Sequence, residues 1–238
     1  MLILSLFPGS DLLGMAFEME GFCVVRGPEL LLGGDIRHWH ALPGRFDGVV
    51  AGPPCKAHSR ACRGNRPTQE NLIPEFERAV AEARPRWWVC ENVPDAPVPQ
   101  GAAYAEVLDA WEYGAAQHRR RRFSSNLPLR PVPVSPEDRH PDPWPCVTAT
   151  EHKHSAHSRN RRRAGRKVGR RMSLAEVNAA MGLPEDFATP CLTLEAAYAV
   201  RGNGVPIQMG RAIARAVKEA LRPESICRGV ARCPASEE

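Results

Sequence analysis

The chain has 238 residues, 43% of them apolar, and a formal charge of +5. That is enough apolar mass for one large domain with a packed core and room for a small second lobe. No apolar run approaches a membrane span, and the opening MLILSLFPGSDLL has neither a basic leader nor a small-residue cleavage site, so it reads as a buried strand and not as a signal peptide.

In chain order, LILSLF (2–7) is a short buried strand ended by Pro8 and Gly9. DLLGMAFEMEG (11–21) has helical spacing, with Asp11 placed to cap its start and Gly21 to stop it. FCVV (22–25) is a second strand, and LLLGGDI (30–36) runs into a turn at Asp35. FDGVVAG (46–52) is a third strand, PEFERAVAEARP (74–85) an amphipathic helix and RWWVCENV (86–93) a fourth, buried strand. This alternation predicts an α/β fold, a parallel sheet with helices on its faces. Such sheets bind ligands at the carboxyl ends of their strands, and Asp35, Cys55 and Glu91 all fall at or just past such an end.

Beyond Phe123 the composition changes. SSNLPLRPVPVSPEDRHPDPWPC (124–146) is too rich in proline for a long helix. RNRRRAGRKVGRR (159–171) holds eight basic residues and no acid, and QHRRRRF (117–123) holds four consecutive arginines. Charge runs are usually solvated faces, but two all-positive ones point to a polyanionic partner. SLAEVNAAMGLPEDF resumes helix with a capping-box pair, Ser173 and Glu176. RGNGVPIQMGRAIARAVKEAL is a glycine-rich turn into a last helix. The expected organisation is a main domain over 1–123, a short irregular lobe over 124–170, a return to the main domain over 171–222, and a frayed tail over 223–238.

The eight cysteines form no C-x-x-C pair and read as free thiols of a reducing cytosol, with Cys23 and Cys90 acting as small hydrophobes in strands. Cys55 is different: Pro53 and Pro54 restrict the backbone and hold its side chain at a fixed place outside the sheet. It is a candidate nucleophile, since a nearby positive charge would raise its thiolate fraction. Cys55, His58 and Cys62 also make a C-x2-H-x3-C pattern, but a structural zinc site wants a fourth ligand, so no metal is expected. Glu91 puts a carboxylate at the end of a buried strand, where lost hydration raises a carboxyl pKa. Each also has a plainer reading when taken alone: Cys55 as the end of a strand, and Glu91 as a cap on the next segment.

Taken together and in order, these stretches resemble the cytosine-C5 DNA methyltransferases, over nearly the whole chain except 124–170 and the tail. Phe7-Pro8-Gly9-Ser10-Asp11-Leu12 is similar to the family's F-x-G-x-G-G loop, and Gly34-Asp35-Ile36 to its G-D-I. Gly52-Pro53-Pro54-Cys55 matches its G-P-P-C, Glu91-Asn92-Val93 its E-N-V, and Gln117-His118-Arg119-Arg120-Arg121 its Q-x-R-x-R. Gly202-Asn203-Gly204-Val205-Pro206 is similar to its final G-N-S-V-P. The likeness is to the compact, phage-type members. Asp11 and Leu12 stand where the family has glycines, Lys56 where it has glutamine, and Gly204 where it has serine. Few residues separate Val93 from EVLDAWEYGAAQ, so a helix usual in the family has no room there.

The resemblance implies a Rossmann-like, S-adenosylmethionine-dependent methyltransferase sheet with a small target-recognition lobe. It implies methyl transfer to C5 of a cytosine flipped out of double-stranded DNA, through a covalent bond between Cys55 and C6. The catalytic residues would be Cys55, Glu91, Arg119 and Arg121. Phe7, Gly9, Ser10, Asp11, Leu12, Glu29, Asp35, Ile36, Pro53, Asn203 and Val205 would hold S-adenosylmethionine. Lys56, Ser59, Gln117, Arg159, Arg161, Arg162 and Arg163 would meet DNA. The protein is expected to be a monomer without membrane association, in the cytoplasm of a bacterium or phage-infected cell. Alternatives left open are a tRNA cytosine-C5 methyltransferase, which one branch of the family represents, and a DNA-binding homologue with impaired catalysis or an altered donor.

Overall fold

A computed structural model describes residues 1–30, 33–54, 70–151, 171–187 and 190–222. Its centre is a six-stranded sheet in the order β2-β1-β3-β4-β6-β5. The strands are β1 (Leu2–Leu6), β2 (Cys23–Arg26), β3 (Gly48–Ala51), β4 (Trp87–Asn92), β5 (Tyr104–Asp109) and β6 (Arg120–Ser125). β2, β1, β3 and β4 run parallel, as the sequence predicts. β6 enters antiparallel between β4 and β5, so the sheet is mixed. The reason is the short link: a parallel return needs a crossover of about a dozen residues or more, and between β5 and β6 the chain has only 110–119, much of it in a 3-10 turn over Ala110–Tyr113. The link 93–103 between β4 and β5 contains no helix, in keeping with the lack of room for one.

Helices α1 (Leu12–Met19), α2 (Ile73–Ala83), α3 (Leu174–Met181), α4 (Leu194–Asn203) and α5 (Ile207–Ala220) complete the fold. Side chains alternate across each strand, and the core divides accordingly. Ile3, Trp87 and Val89 pack with Phe17 of α1 and Met209, Ile213 and Val217 of α5. Leu4, Leu6, Trp88 and Cys90 point to the other face and pack with Phe76, Ala79 and Ala83 of α2. A third cluster joins Leu12 and Ala16 to Val177 and Met181 of α3, Tyr198 of α4, and Val147. Ser173 and Glu176 form the expected capping box on α3.

Four expectations need adjustment. The glycine-rich turn is shorter than read, because Arg201–Asn203 close α4 and only Gly204–Pro206 link it to α5. Cys23 is not a buried hydrophobe: β2 is the edge strand and its thiol is exposed, whereas Cys90 is buried. β6 continues through Ser125, two residues past the boundary drawn from composition. Leu129 and Val147, beyond that boundary, are buried in the first and third core clusters. Among the described residues no helix is long and apolar enough to cross a membrane.

Gly48 lies under the Trp87 indole, where a β-carbon would overlap the ring. Trp87 is fully buried and stacks on Phe17, so it has little room to yield. Gly48→Ala is therefore expected to destabilise the protein by about 1–3 kcal/mol, the usual scale of overpacking, measured as a lowered urea midpoint. An unchanged midpoint would mean that this face of the core is loosely packed.

Candidate active site

The loop from β1 to α1 is built on three left-handed residues, Phe7 (φ 55°), Gly9 (φ 53°) and Asp11 (φ 53°). Such angles suit glycine and are tolerated by aspartate, but they strain phenylalanine. Asp11 holds the loop. Its Oδ1 accepts from Gly14 N at 3.1 Å, capping α1 as expected, and from Ser5 Oγ at 2.7 Å. Its Oδ2 pairs with Arg26 Nε at 2.9 Å. The carboxylate lies so close over Gly14 that a β-carbon there would overlap it. Burial pushes the Asp11 pKa up, against the opposing pull of Ser5, Arg26 and the Gly14 amide. On the outer side of the loop, Glu29 accepts from Gly9 N at 2.8 Å. Ser10 Oγ donates to Val200 O of α4 at 3.0 Å.

Glu91, one residue before the end of β4, is a buried carboxylate, 8% exposed. Arg121 of the neighbouring β6 reaches it, Nε to Oε1 at 2.9 Å. Desolvation raises the Glu91 pKa, and Arg121 and then Arg119 oppose the rise. Its other oxygen, Oε2, lies over Gly52, 3.4 Å from where a β-carbon would stand. Beside it, Asn92 Nδ2 donates to Pro53 O at 3.3 Å. The acid and the backbone of the Gly52-Pro53-Pro54 stretch are thus held against each other at the carboxyl ends of β3 and β4. Cys55 comes directly after but, with Lys56, His58, Ser59, Cys62 and Arg159, Arg161, Arg162 and Arg163, lies outside the described residues.

These parts enclose a cavity of about 60 Å³. Phe7, Asp11, Leu12, Asn203, Val205 and Glu91 from the expected set line it, together with Ser5, Gly52 and Gly204. Asp35, Ile36 and Glu29 are not among its walls. Asp35 instead caps a 3-10 turn and is gripped by Arg37, whose guanidinium donates to it at 2.6 Å and lowers its pKa to about 2. Ile36 is buried in the α2-side core. Sequence reasoning misses Ser5, although it is the single polar residue within LILSLF and its hydroxyl is what settles the Asp11 carboxylate. It reaches Asn92 only as the middle of a motif; the bond to Pro53 becomes visible once β3 and β4 are paired. Among the described residues no group of three His, Cys, Asp or Glu is placed to hold a metal ion.

Two expected contacts are corrected. Gln117 is fully buried. Its Nε2 donates to Ala180 O at 2.8 Å and its Oε1 accepts from Val147 N at 2.9 Å, so it has no surface to offer DNA. Arg119 is 1% exposed and donates to Val147 O and to Gly202 O, each at 2.8 Å. It braces the site from behind, through the backbone of Val147 and Gly202. Of the arginine pair expected at the substrate, only Arg121 stands beside Glu91.

The sequence pattern of the C-5 cytosine-specific DNA methylases matches residues 32–97 and 131–219. The type II methyltransferase M.FnuDI of Fusobacterium nucleatum is 27% identical over 183 residues, covering 58% of this chain and 53% of that protein. M.NgoPII of Neisseria gonorrhoeae is 28% identical, covering 52% of this chain and 47% of that protein. The chain thus spans about half the length of these curated relatives. In fold it is similar to the solved structure of the Entamoeba histolytica methyltransferase EhMeth, with a TM-score of 0.65 at 11% identity, covering 93% of this chain and 98% of that one.

Burial of Glu91 has a pH signature. Its native pKa is raised above the ordinary 4.5, so as pH climbs past that value the folded state holds a proton that the unfolded chain has lost. Stability attributable to this group is full below the ordinary value and is lost as pH rises through the native one. Glu91→Gln, which carries no charge, should therefore gain stability relative to the wild type as pH rises above the ordinary carboxyl value of 4.5. Urea midpoints across that rise check it; a difference independent of pH would mean that Glu91 is not effectively desolvated.

Proposed function

The chain belongs to the C-5 cytosine-specific DNA methylase family, and on that premise we propose that it methylates C5 of cytosine in double-stranded DNA with S-adenosylmethionine as donor. One observation carries the reading: a buried carboxylate, Glu91, lies over Gly52, three residues before a cysteine that comes after two prolines. A thiol and an acid are the pair of groups that suits addition to a pyrimidine ring. The residues around the cavity also fit the donor in kind. Gly9, in the loop beside the cavity, has no atom within 4 Å of a β-carbon position, Glu29 accepts from its amide outside the cavity, and Phe7, Leu6 and Val205 offer an apolar wall. S-adenosylmethionine, when bound, supplies the electrophilic methyl group.

Cytosine C5 is a poor nucleophile until C6 is saturated. The Cys55 thiolate forms a bond to C6, and the ring electrons released by that addition move toward C5 and N3. Glu91, protonated more readily than a surface carboxyl, hydrogen-bonds N3 and offsets the charge arriving there. Arg121 holds Glu91 in place and faces the same side. After methylation, loss of the C5 proton to water restores the C5–C6 double bond, and the electron pair of the S–C6 bond returns to sulfur. C6 is shielded in a stacked duplex, so the base must be flipped out. Residues 124–170, with Arg159, Arg161, Arg162 and Arg163, are the proposed target-recognition lobe, and Lys56 and Ser59 the proposed contacts near the base.

A duplex carrying 5-fluorocytosine tests the covalent step, because C5 fluorine cannot leave as a proton does. With S-adenosylmethionine present, the wild type should become trapped on DNA as a species stable to denaturing gels, and Cys55→Ser should not. Trapping by the variant would mean that the nucleophile is misassigned. Trapping of the wild type on tRNA and not on duplex DNA would move the substrate to RNA.

A further inference from the structure

Leu12, at the start of α1, and Gly204, in the link between α4 and α5, meet at the wall of the cavity although 192 positions separate them. The Leu12 side chain is 1% exposed and lies directly on Gly204. A β-carbon on Gly204 would stand 2.8 Å from Leu12 Cγ and 3.2 Å from its Cβ, and would overlap Cδ1 outright. The backbone of Gly204 is ordinary, φ −73° and ψ 169°, a conformation open to any residue. Glycine is therefore required here for space and not for conformation.

That distinction matters because Leu12 has few other places to go. On its far side it packs in the cluster of Val147, Val177, Met181 and Ile207, all buried, and close-packed interiors absorb almost no added volume. The hydroxyl of Ser10 pins the same loop to Val200 O at 3.0 Å, so the loop cannot simply lift away. If residue 204 carried a side chain, the open direction left to Leu12 would be the cavity itself, whose neighbouring walls are Asn203, Val205, Phe7 and Glu91.

We infer that Leu12 and Gly204 act as one steric unit that sets the width of the donor cavity, an inference that rests on the donor reading proposed above. The two departures from the family pattern, leucine for glycine in the first loop and glycine for serine in the last motif, are then one feature: the bulk added on one side is admitted by the side chain removed on the other. Asp11 obeys the same logic with Gly14 beneath it. Leu12 and Gly204 are positioning residues; neither moves a proton or bonds to the reacting atoms.

The test is a rescue measured by binding and not by turnover. S-adenosylhomocysteine affinity is measured by calorimetry for the wild type, Gly204→Ala, and Gly204→Ala combined with Leu12→Ala, with Leu12→Val as a milder partner should the alanine pair melt too low. Thermal melts confirm that each form is folded. Gly204→Ala should weaken binding by about 10-fold, the scale of one methyl group forced into a packed site. The double variant should recover to within about threefold of the wild type, because coupled neighbours are not additive. Equal affinity of Gly204→Ala and the wild type would overturn the inference, and so would a double variant no better than Gly204→Ala. A wild type that fails to bind S-adenosylhomocysteine would instead overturn the donor reading on which it rests, an outcome distinct from both.

Discussion

A guanidinium taken out of water needs hydrogen-bond partners inside the protein, and the two terminal nitrogens of Arg119 find them on stretches remote in sequence, Val147 O and Gly202 O, while its Nε has no partner among the described residues. Burial disfavours its charged form, so losing either carbonyl would leave a buried donor exposed to the full cost of desolvation. That requirement fixes the entry to β6 against both the proline-rich segment and the end of α4. Gln117, two residues earlier, does the same between Val147 and α3. Together they bring the C-terminal helices back onto the sheet. The cavity depends on that return, because its walls combine residues 5–8 and 11–13, Gly52 and Glu91 with residues 203–205.

Within the cavity the electrostatics repeat one arrangement. Asp11 and Glu91 are both buried carboxylates raised by desolvation, and each is relieved by an arginine from an adjacent strand: Arg26 for the first, Arg121 for the second. The pairs differ in access. Arg26 is 46% exposed, so its pull on Asp11 is screened by water, whereas Arg121 is 16% exposed and its pull on Glu91 is felt more fully. Asp11 serves geometry, capping α1 and fixing a loop with three left-handed residues. Glu91 is held from one side, through Arg121 on Oε1, while Oε2 lies over Gly52, both residues lining the cavity.

The sheet was largely legible because its strands carry their own signal. The unbroken apolar runs around Val49 and Val89 mark strands covered on both faces, and Asp11, Gly21 and Ser173 announced the ends of helices through local chemistry. β5 was not legible: YAEVLD has two exposed residues after a buried tyrosine, and its strand state comes from pairing with β6. α4 was hidden for a related reason, since its Arg201 is buried and satisfied by Asn178 Oδ1 at 2.6 Å, an arrangement no periodicity reveals. At the site, motifs told which residue types gather but not which way they face. Arg119 and Arg121 look equivalent in QHRRRRF, yet Arg119 is sent behind the site and Arg121 into it. Gly204 read as a turn glycine; its φ shows that it is a space made for Leu12.

The central claim is the proposal that Glu91, held against Gly52 and Pro53, and Cys55, two residues further along the chain, together carry cytosine C5 methylation. Nucleoside mass spectrometry of DNA from a host lacking its own cytosine methylation, expressing either this chain or its Cys55→Ser form, tests it most directly. The account predicts 5-methyl-2′-deoxycytidine in the DNA of cells carrying the wild type and none above background with the variant. Absence of the modified nucleoside from both, with soluble folded protein present, would contradict it.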